Sequence, residues 1–300
     1  MTPLAAIRPQ APLAQGTLAV QAELDQARAS GPLRTIVSPP CPELLIQLRA
    51  AQAQTEPDLQ QIARIASSDV AMSAVLLKTA NSAAYSNGQP ANTIGQAMNR
   101  LGLVQSAAQL SGYLVQKAIR VDSPQLQRFW QRAAKRAIAM SYIACQLPGM
   151  SPDVAHTYGL FCHVGMPVMM QSLRGYRSTM VEADARIDRS YVATENANHR
   201  TDHAVVGALV ARLWHLAPEA MVAIRRHHDL DMLGDSATAP EAHTLVAAGL
   251  VAEHLMRCHE GLEPDVDWLA HRHIAMDWLQ IGDGELIAWE DALTSSLDEA

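Results

Sequence analysis

Three hundred residues, 49% hydrophobic and 18% charged, suffice for one large or two ordinary domains with a true core. Phe, Tyr and Trp contribute only 4% while Ala and Leu dominate the apolar content, which favours helix over sheet and leads us to expect an all-α protein. A net charge of −7 with scattered Arg and Lys argues against nucleic acid as a ligand, and Cys41, Cys145, Cys162 and Cys258 lie too far apart for a zinc knuckle or a disulfide framework.

In chain order, residues 1–36 read as a flexible leader rich in Pro, Ala and Gln, with a short helix over Thr17–Ala29 stopped by Gly31-Pro32. The start lacks the basic segment and apolar run of a secretory signal, so the chain is expected to be cytoplasmic. Pro39-Pro40 and Pro42 lead into a helix striped by Leu44, Leu45 and Leu48; Asp58–Ala66 gives a second, and Ser68-Asp69 caps a third that runs to Asn81. Tyr85–Ala91 is a loop by its Asn-Gly and Pro content. Thr93 starts a fourth helix, with Ile94, Ala97, Met98 and Leu101 on its buried side, which Gly102 is expected to end.

Ser123-Pro124 opens a helix carrying Phe129, Trp130, Ala133 and Ala137. Ser151-Pro152-Asp153 supplies a hydroxyl cap, a ring preset for the first turn and a carboxylate at the positive end of the helix dipole. The helix that follows buries Val154, Ala155, Tyr158, Phe161 and Cys162, places His156 and His163 seven apart on one side, and is expected to stop at Gly165 and Pro167. Asp153 is the sole formal charge between Arg136 and Arg174, so this region belongs to a core. Pro148-Gly149 and Gly165-Met166-Pro167 cut it into pieces shorter than the ~20 residues of a membrane span.

Residues 176–198 are polar and lead to Asp202-His203 and an apolar helix ending at Trp214. Pro218–His228 is a short helix closing on Arg225-Arg226-His227-His228, Thr244–Met256 is another, and one or two more follow Asp265 before an acidic tail.

The run ASSDVAMSAVLLKTANSAAYSNG followed by NTIGQAMNRLG resembles the N-terminal lobe of the HDOD family, the HD-related output domains of bacterial signalling proteins. Asp69, Asn81-Ser82, Ala97 and Leu101-Gly102 carry the likeness, with Val70 where the family has Pro. Gly159-Leu160-Phe161-Cys162-His163-Val164-Gly165 is similar to the helix that gives HD phosphohydrolases their metal-binding His-Asp pair, with Val164 in place of the aspartate. The resemblance implies an N-terminal helical lobe over 37–120 and an HD-like helical lobe with C-terminal helices over 121–300. It also implies that Arg132 stands where active enzymes have a histidine ligand, and Gly249 where they have the last aspartate.

Of the ligand places implied, His163 alone keeps its side chain, so no intact metal site and no cofactor are expected. The remaining imidazoles, His163, His203, His227 and His228, read as buried polar residues bonded to one another or to backbone; the alternative is a residual zinc or nickel ion. Asn81 and Ser82 read as a helix terminus that positions the next loop, or as part of a partner groove. Arg225 and Arg226 read as a solvated face, or as contacts to a phosphate-bearing ligand. The leading functional expectation is a catalytically inactive HDOD protein that acts by binding a regulatory protein partner, not nucleic acid or membrane. The alternatives are a phosphohydrolase acting on nucleotides or cyclic dinucleotides through the histidines, and a nucleotide sensor that does not cleave its ligand.

Overall fold

The computed structural model describes residues 15–298 apart from 53, 55, 83–84, 86–87, 120–122, 187 and 235–239. Expectations for the first fourteen residues, for part of the 85–91 loop and for the last two residues of the acidic tail therefore lie outside the described residues. Among those described there are fifteen α-helices, two 3-10 turns and no strand, so the chain is all-α. No helix among them is long and apolar enough to cross a membrane.

Polar side chains cap seven of the fifteen described α-helix starts. In α3 (Leu59–Ser67) the Asp58 carboxylate accepts from the Gln60 amide, and in α4 (Val70–Ala80) Asp69 accepts from Ala71 and Met72. Thr93 and Gln96 form a reciprocal capping box at α5 (Ile94–Ala118). Gly102 ends the first helical segment as expected, adopting φ 76° and ψ 172°, and a second segment follows directly across this kink to Ala118. Asn81 ends α4, its side chain exchanging two hydrogen bonds with the backbone of Ala91 (2.9 and 2.6 Å), while the Ser82 hydroxyl donates to Thr79 O (2.7 Å). Both residues thus fasten the loop between α4 and α5.

These helices pack with α2 (Glu43–Gln52) through Leu45, Leu48, Ile62, Met72 and Leu76, all buried. The second group is built on α6 (Pro124–Gln146), α7 (Pro152–Phe161), α8 (Gly165–Ser172), α11 (His203–Leu213), α12 (Pro218–Arg226) and α13 (Pro240–His259). The polar stretch after residue 175 forms two further helices, α9 (Tyr176–Ala185) and α10 (Tyr191–His199). The last two, α14 (Val266–Leu279) and α15 (Asp283–Asp298), cover α13, with α15 also on α6.

The short helix expected in the leader is α1 (Gln15–Ser30), and it packs on α12 and α11 through buried Val20 and Leu24. Arg225 of α12 clasps it, with Nε and Nη2 donating to Glu23 at 2.9 and 2.5 Å.

Candidate functional site

Three chain reversals bring four histidines together. His163 lies in the turn between α7 and α8, His203 is the first residue of α11, and His227 and His228 follow directly on α12. The turn can approach α11 because residue 165 has no side chain: a Cβ there would stand 2.0 Å from the carbonyl oxygen of His203 and 2.8 Å from the Gly207 amide. Gly165-Met166-Pro167 therefore opens α8 rather than closing the preceding helix, which ends at Phe161. His163 consequently does not share a helix face with His156, which lines a separate groove.

Asp202 fixes the start of α11 by accepting from the Val205 amide at 2.9 Å, and Asn196 of α10 donates to its other oxygen at 2.7 Å. His203 Nε2 then lies 3.0 Å from His163 Nδ1, 3.2 Å from His227 Nε2 and 3.0 Å from His228 Nε2; His163 and His227 are themselves 3.2 Å apart. All four nitrogens lie within 4.8 Å of one another, and no carboxylate belongs to the group.

The outer nitrogens fix the tautomers. His203 Nδ1 is 2.7 Å from Glu195 Oε2 and His227 Nδ1 is 2.7 Å from the Ile224 carbonyl, and as both partners only accept, each Nδ1 carries the proton. With Nδ1 engaged in this way, both rings turn Nε2 inward. Glu195 also accepts from the His203 amide at 3.1 Å and from the Tyr176 hydroxyl. Neither Glu195 nor Tyr176 was singled out from sequence, since each lies in the polar stretch that sequence reading passes over. The available signal was a glutamate eight positions before the histidine.

Burial, reinforced by Arg136 and the neighbouring imidazoles, holds the protonation of His163 well below the ordinary histidine range. Burial and the adjoining histidines do the same to His227, and burial with His203 and Arg136 to His228. His163, His227 and His228 are thereby kept neutral.

The positions implied to have lost ligands are otherwise engaged. Val164 is fully buried in the apolar core. Arg132 of α6 pairs with Glu253 and Glu260, and buried Arg136 donates to Glu253 at 2.9 Å. Burial opposes ionisation of Glu253, but the two guanidinium groups outweigh it and hold the carboxyl below its usual range. A Cβ at Gly249 would meet the Tyr158 hydroxyl at 2.8 Å, so the position cannot take an aspartate without displacing that ring. Beside the histidines is a cavity of about 80 Å³, whose walls include Glu253, Asp265 and Asp267. Arg225 and Arg226 are spent on Glu23 and Asp229 (2.5 Å each), outside the cluster, as are Asn81 and Ser82.

A hydrolytic His-Asp centre does not fit this donor set, because an open hydrolytic ion is ordinarily held in part by carboxylates, whereas no carboxylate belongs to the four-histidine group and Glu253 is paired with arginine. Four imidazole nitrogens are the donor type that suits a borderline transition cation.

A sequence profile of the HDOD domain matches residues 38–230. An uncharacterised protein of Treponema pallidum (strain Nichols) is 24% identical over 197 residues, covering 64% of this chain and 38% of that one. An HDOD domain protein of unknown function from Geobacter sulfurreducens superposes with a TM-score of 0.73 at 18% identity, over 93% of this chain and 96% of its own. A candidate signal transduction protein of Marinobacter aquaeolei VT8 gives 0.72 at 16% identity, over 95% of this chain and 65% of that one. A candidate phosphohydrolase of Shewanella amazonensis SB2B gives 0.69 at 20% identity, over 94% and 96%. These structural likenesses establish the fold. The chain spans 38% of the Treponema relative's length and 65% of the Marinobacter protein's.

Proposed function

The chain belongs to the HDOD domain family, and on that premise we propose that it is a non-hydrolysing regulatory protein of bacterial signal transduction that acts by binding a protein partner. The observation that carries this reading is the commitment of Glu253. It is one of three carboxylates on the wall of the cavity beside the histidines, and it is held by Arg132 and Arg136.

Size supports the same conclusion. The 80 Å³ cavity at the histidines has room for a few waters, far below the ~300 Å³ of a small-molecule site. A larger cavity of 420 Å³ lies between α2, α5 and α7, lined mainly by apolar groups such as Leu45, Ile46, Val104 and Phe161. It separates the two helical groups and is the place where a partner would alter their packing. A nucleotide-sensing role draws no support from Arg225 and Arg226, whose charges are already paired.

The test is turnover by metal-supplemented protein on generic phosphodiesters and cyclic dinucleotides. No turnover above buffer is expected. Turnover that His163→Ala abolishes would overturn the reading.

A further inference from the structure

We infer that the 420 Å³ groove between α2, α5 and α7 binds a small apolar amine, its ammonium group on the Asp153 carboxylate and its hydrocarbon body against Ile46, Val104 and Leu160. The amine is then a wedge at the place where, on the reading above, the packing of the two helical groups is set.

The groove has the size and the walls of a small-molecule site. Its 420 Å³ falls within the ~300–1,000 Å³ of ligand pockets, and its lining is chiefly hydrocarbon. Ile46 of α2 and Val104 of α5 line it and are each 47% exposed, although Leu45, Leu160 and Phe161 beside them are buried. An apolar body lying on these two side chains takes from water the hydrocarbon that the folded chain leaves exposed.

Charge selects the ligand. Asp153 and His156, three apart on α7 and so neighbours on its surface, both line the groove. Among the described residues neither side chain has a hydrogen-bond or ion-pair partner. Burial alone shifts each, raising the Asp153 carboxyl above its ordinary range and lowering His156 to about 4. Asp153 therefore offers a carboxylate with no counter-charge in the protein, and His156 a neutral imidazole with a lone pair. A protonated amine supplies charge to the first and an N–H to the second. An anion meets no free cation here. Arg49, the one arginine on the groove, turns Nη1 and Nη2 onto the carbonyls of Trp214 and His215 at 3.0 and 3.1 Å, the negative end of α11. A phosphate-bearing ligand thus has the wrong charge for this surface. His215 adds a second imidazole to the lining from a left-handed residue (φ 52°) just past α11, a position where helices ordinarily place glycine.

The test is isothermal titration of the full chain with probes that share one aromatic body: 1-naphthylmethylamine, 1-naphthalenemethanol and 1-naphthoate. Saturable one-to-one binding of the amine is expected. The uncharged alcohol should bind about tenfold more weakly, as loss of a charge-assisted hydrogen bond dictates, and the carboxylate more weakly still. Asp153→Asn should bring the amine down to the affinity of the alcohol and leave the alcohol unchanged. Ala50→Trp introduces an indole into the groove from an exposed position on α2, and should abolish binding of both while the helical circular dichroism is kept. No saturable binding of the amine, equal affinity for amine and alcohol, a preference for the amine that survives Asp153→Asn, or binding unchanged in Ala50→Trp overturns the site. Each of these results leaves the non-hydrolysing reading intact, which the turnover assay decides separately.

Discussion

His203 and Glu195 meet inside the core, Nδ1 to Oε2 at 2.7 Å, with neither side chain exposed to solvent. The same carboxylate receives the His203 amide and the Tyr176 hydroxyl, so one residue of α10 orients the imidazole, anchors the first turn of α11 and holds α9. Glu195→Ala removes the acceptor for three buried donors at once and should cost about 3 kcal/mol or more. Glu195→Gln, which keeps one oxygen and gains an unwanted donor, should fall between. Urea denaturation at neutral pH ranks the three proteins. Equal midpoints for wild type and Glu195→Ala would show that the network contributes nothing.

The approach of Gly165 to the α11 backbone gives a second outcome. Gly165→Ala places a methyl group 2.0 Å from a backbone oxygen that cannot move without shifting His203, and should destabilise by about 3 kcal/mol or more. Gly112→Ala in α5 is the contrast. Nothing lies within 4 Å of the added carbon, so the higher helix propensity of alanine should raise stability by up to ~1 kcal/mol. Thermal melts of the two variants should shift in opposite directions.

Local chemistry made much of this architecture legible and left the site half-hidden. Asp58, Asp69, Thr93 and Ser151 mark helix starts because a short polar side chain before an apolar stripe has few other uses; Thr93 and Ser151 cap where expected, Asp58 caps the helix it was expected to begin, and Asp69 rather than Ser68 caps the next. Gly165 and Pro167 misled because the same residues that end one helix serve the first turn of the next. The helices α9 and α10 were passed over because half their surface is polar, and with them went Glu195 and Tyr176. The four histidines were recognisable as a set from family likeness, but their convergence depends on backbone contacts at Gly165 that periodicity does not encode.

Acid sensitivity should have an identifiable source at His156. Burial in the inter-helix groove lowers its protonation from 6.5 to about 4. The unfolded chain therefore takes up this proton first as pH falls, so the stability present above pH 6.5 is lost progressively down to about 4. A shift of that size corresponds to about 3 kcal/mol, reduced toward 1–2 because the ring is only half-buried. His156→Gln cannot be protonated, and the difference in urea midpoint between pH 7.5 and pH 4.5, values on the order of one unit outside the window at the upper end and inside it at the lower, should shrink in the variant. An identical acid limb in both proteins would exclude this imidazole as the source.

Arg49 joins the two groups of helices. From the last turn of α2 its Nη1 and Nη2 donate to the carbonyls of Trp214 and His215 at 3.0 and 3.1 Å, at the point where α11 ends. The buried Trp214 indole returns a bond to Pro39 O at 2.9 Å, so the strap has two strands, and Arg49 also lines the 420 Å³ groove. Arg49→Ala leaves two carbonyls to water and should cost about 2 kcal/mol. Lysine has a single ammonium and cannot span both acceptors in the planar fork, so Arg49→Lys should recover only part of that loss. Hydrogen exchange gives the decisive reading. Faster exchange confined to α2 and the end of α11, with α13 unchanged, identifies Arg49 as a clamp between the groups, whereas uniform acceleration across the chain would reduce it to one more contributor to global stability.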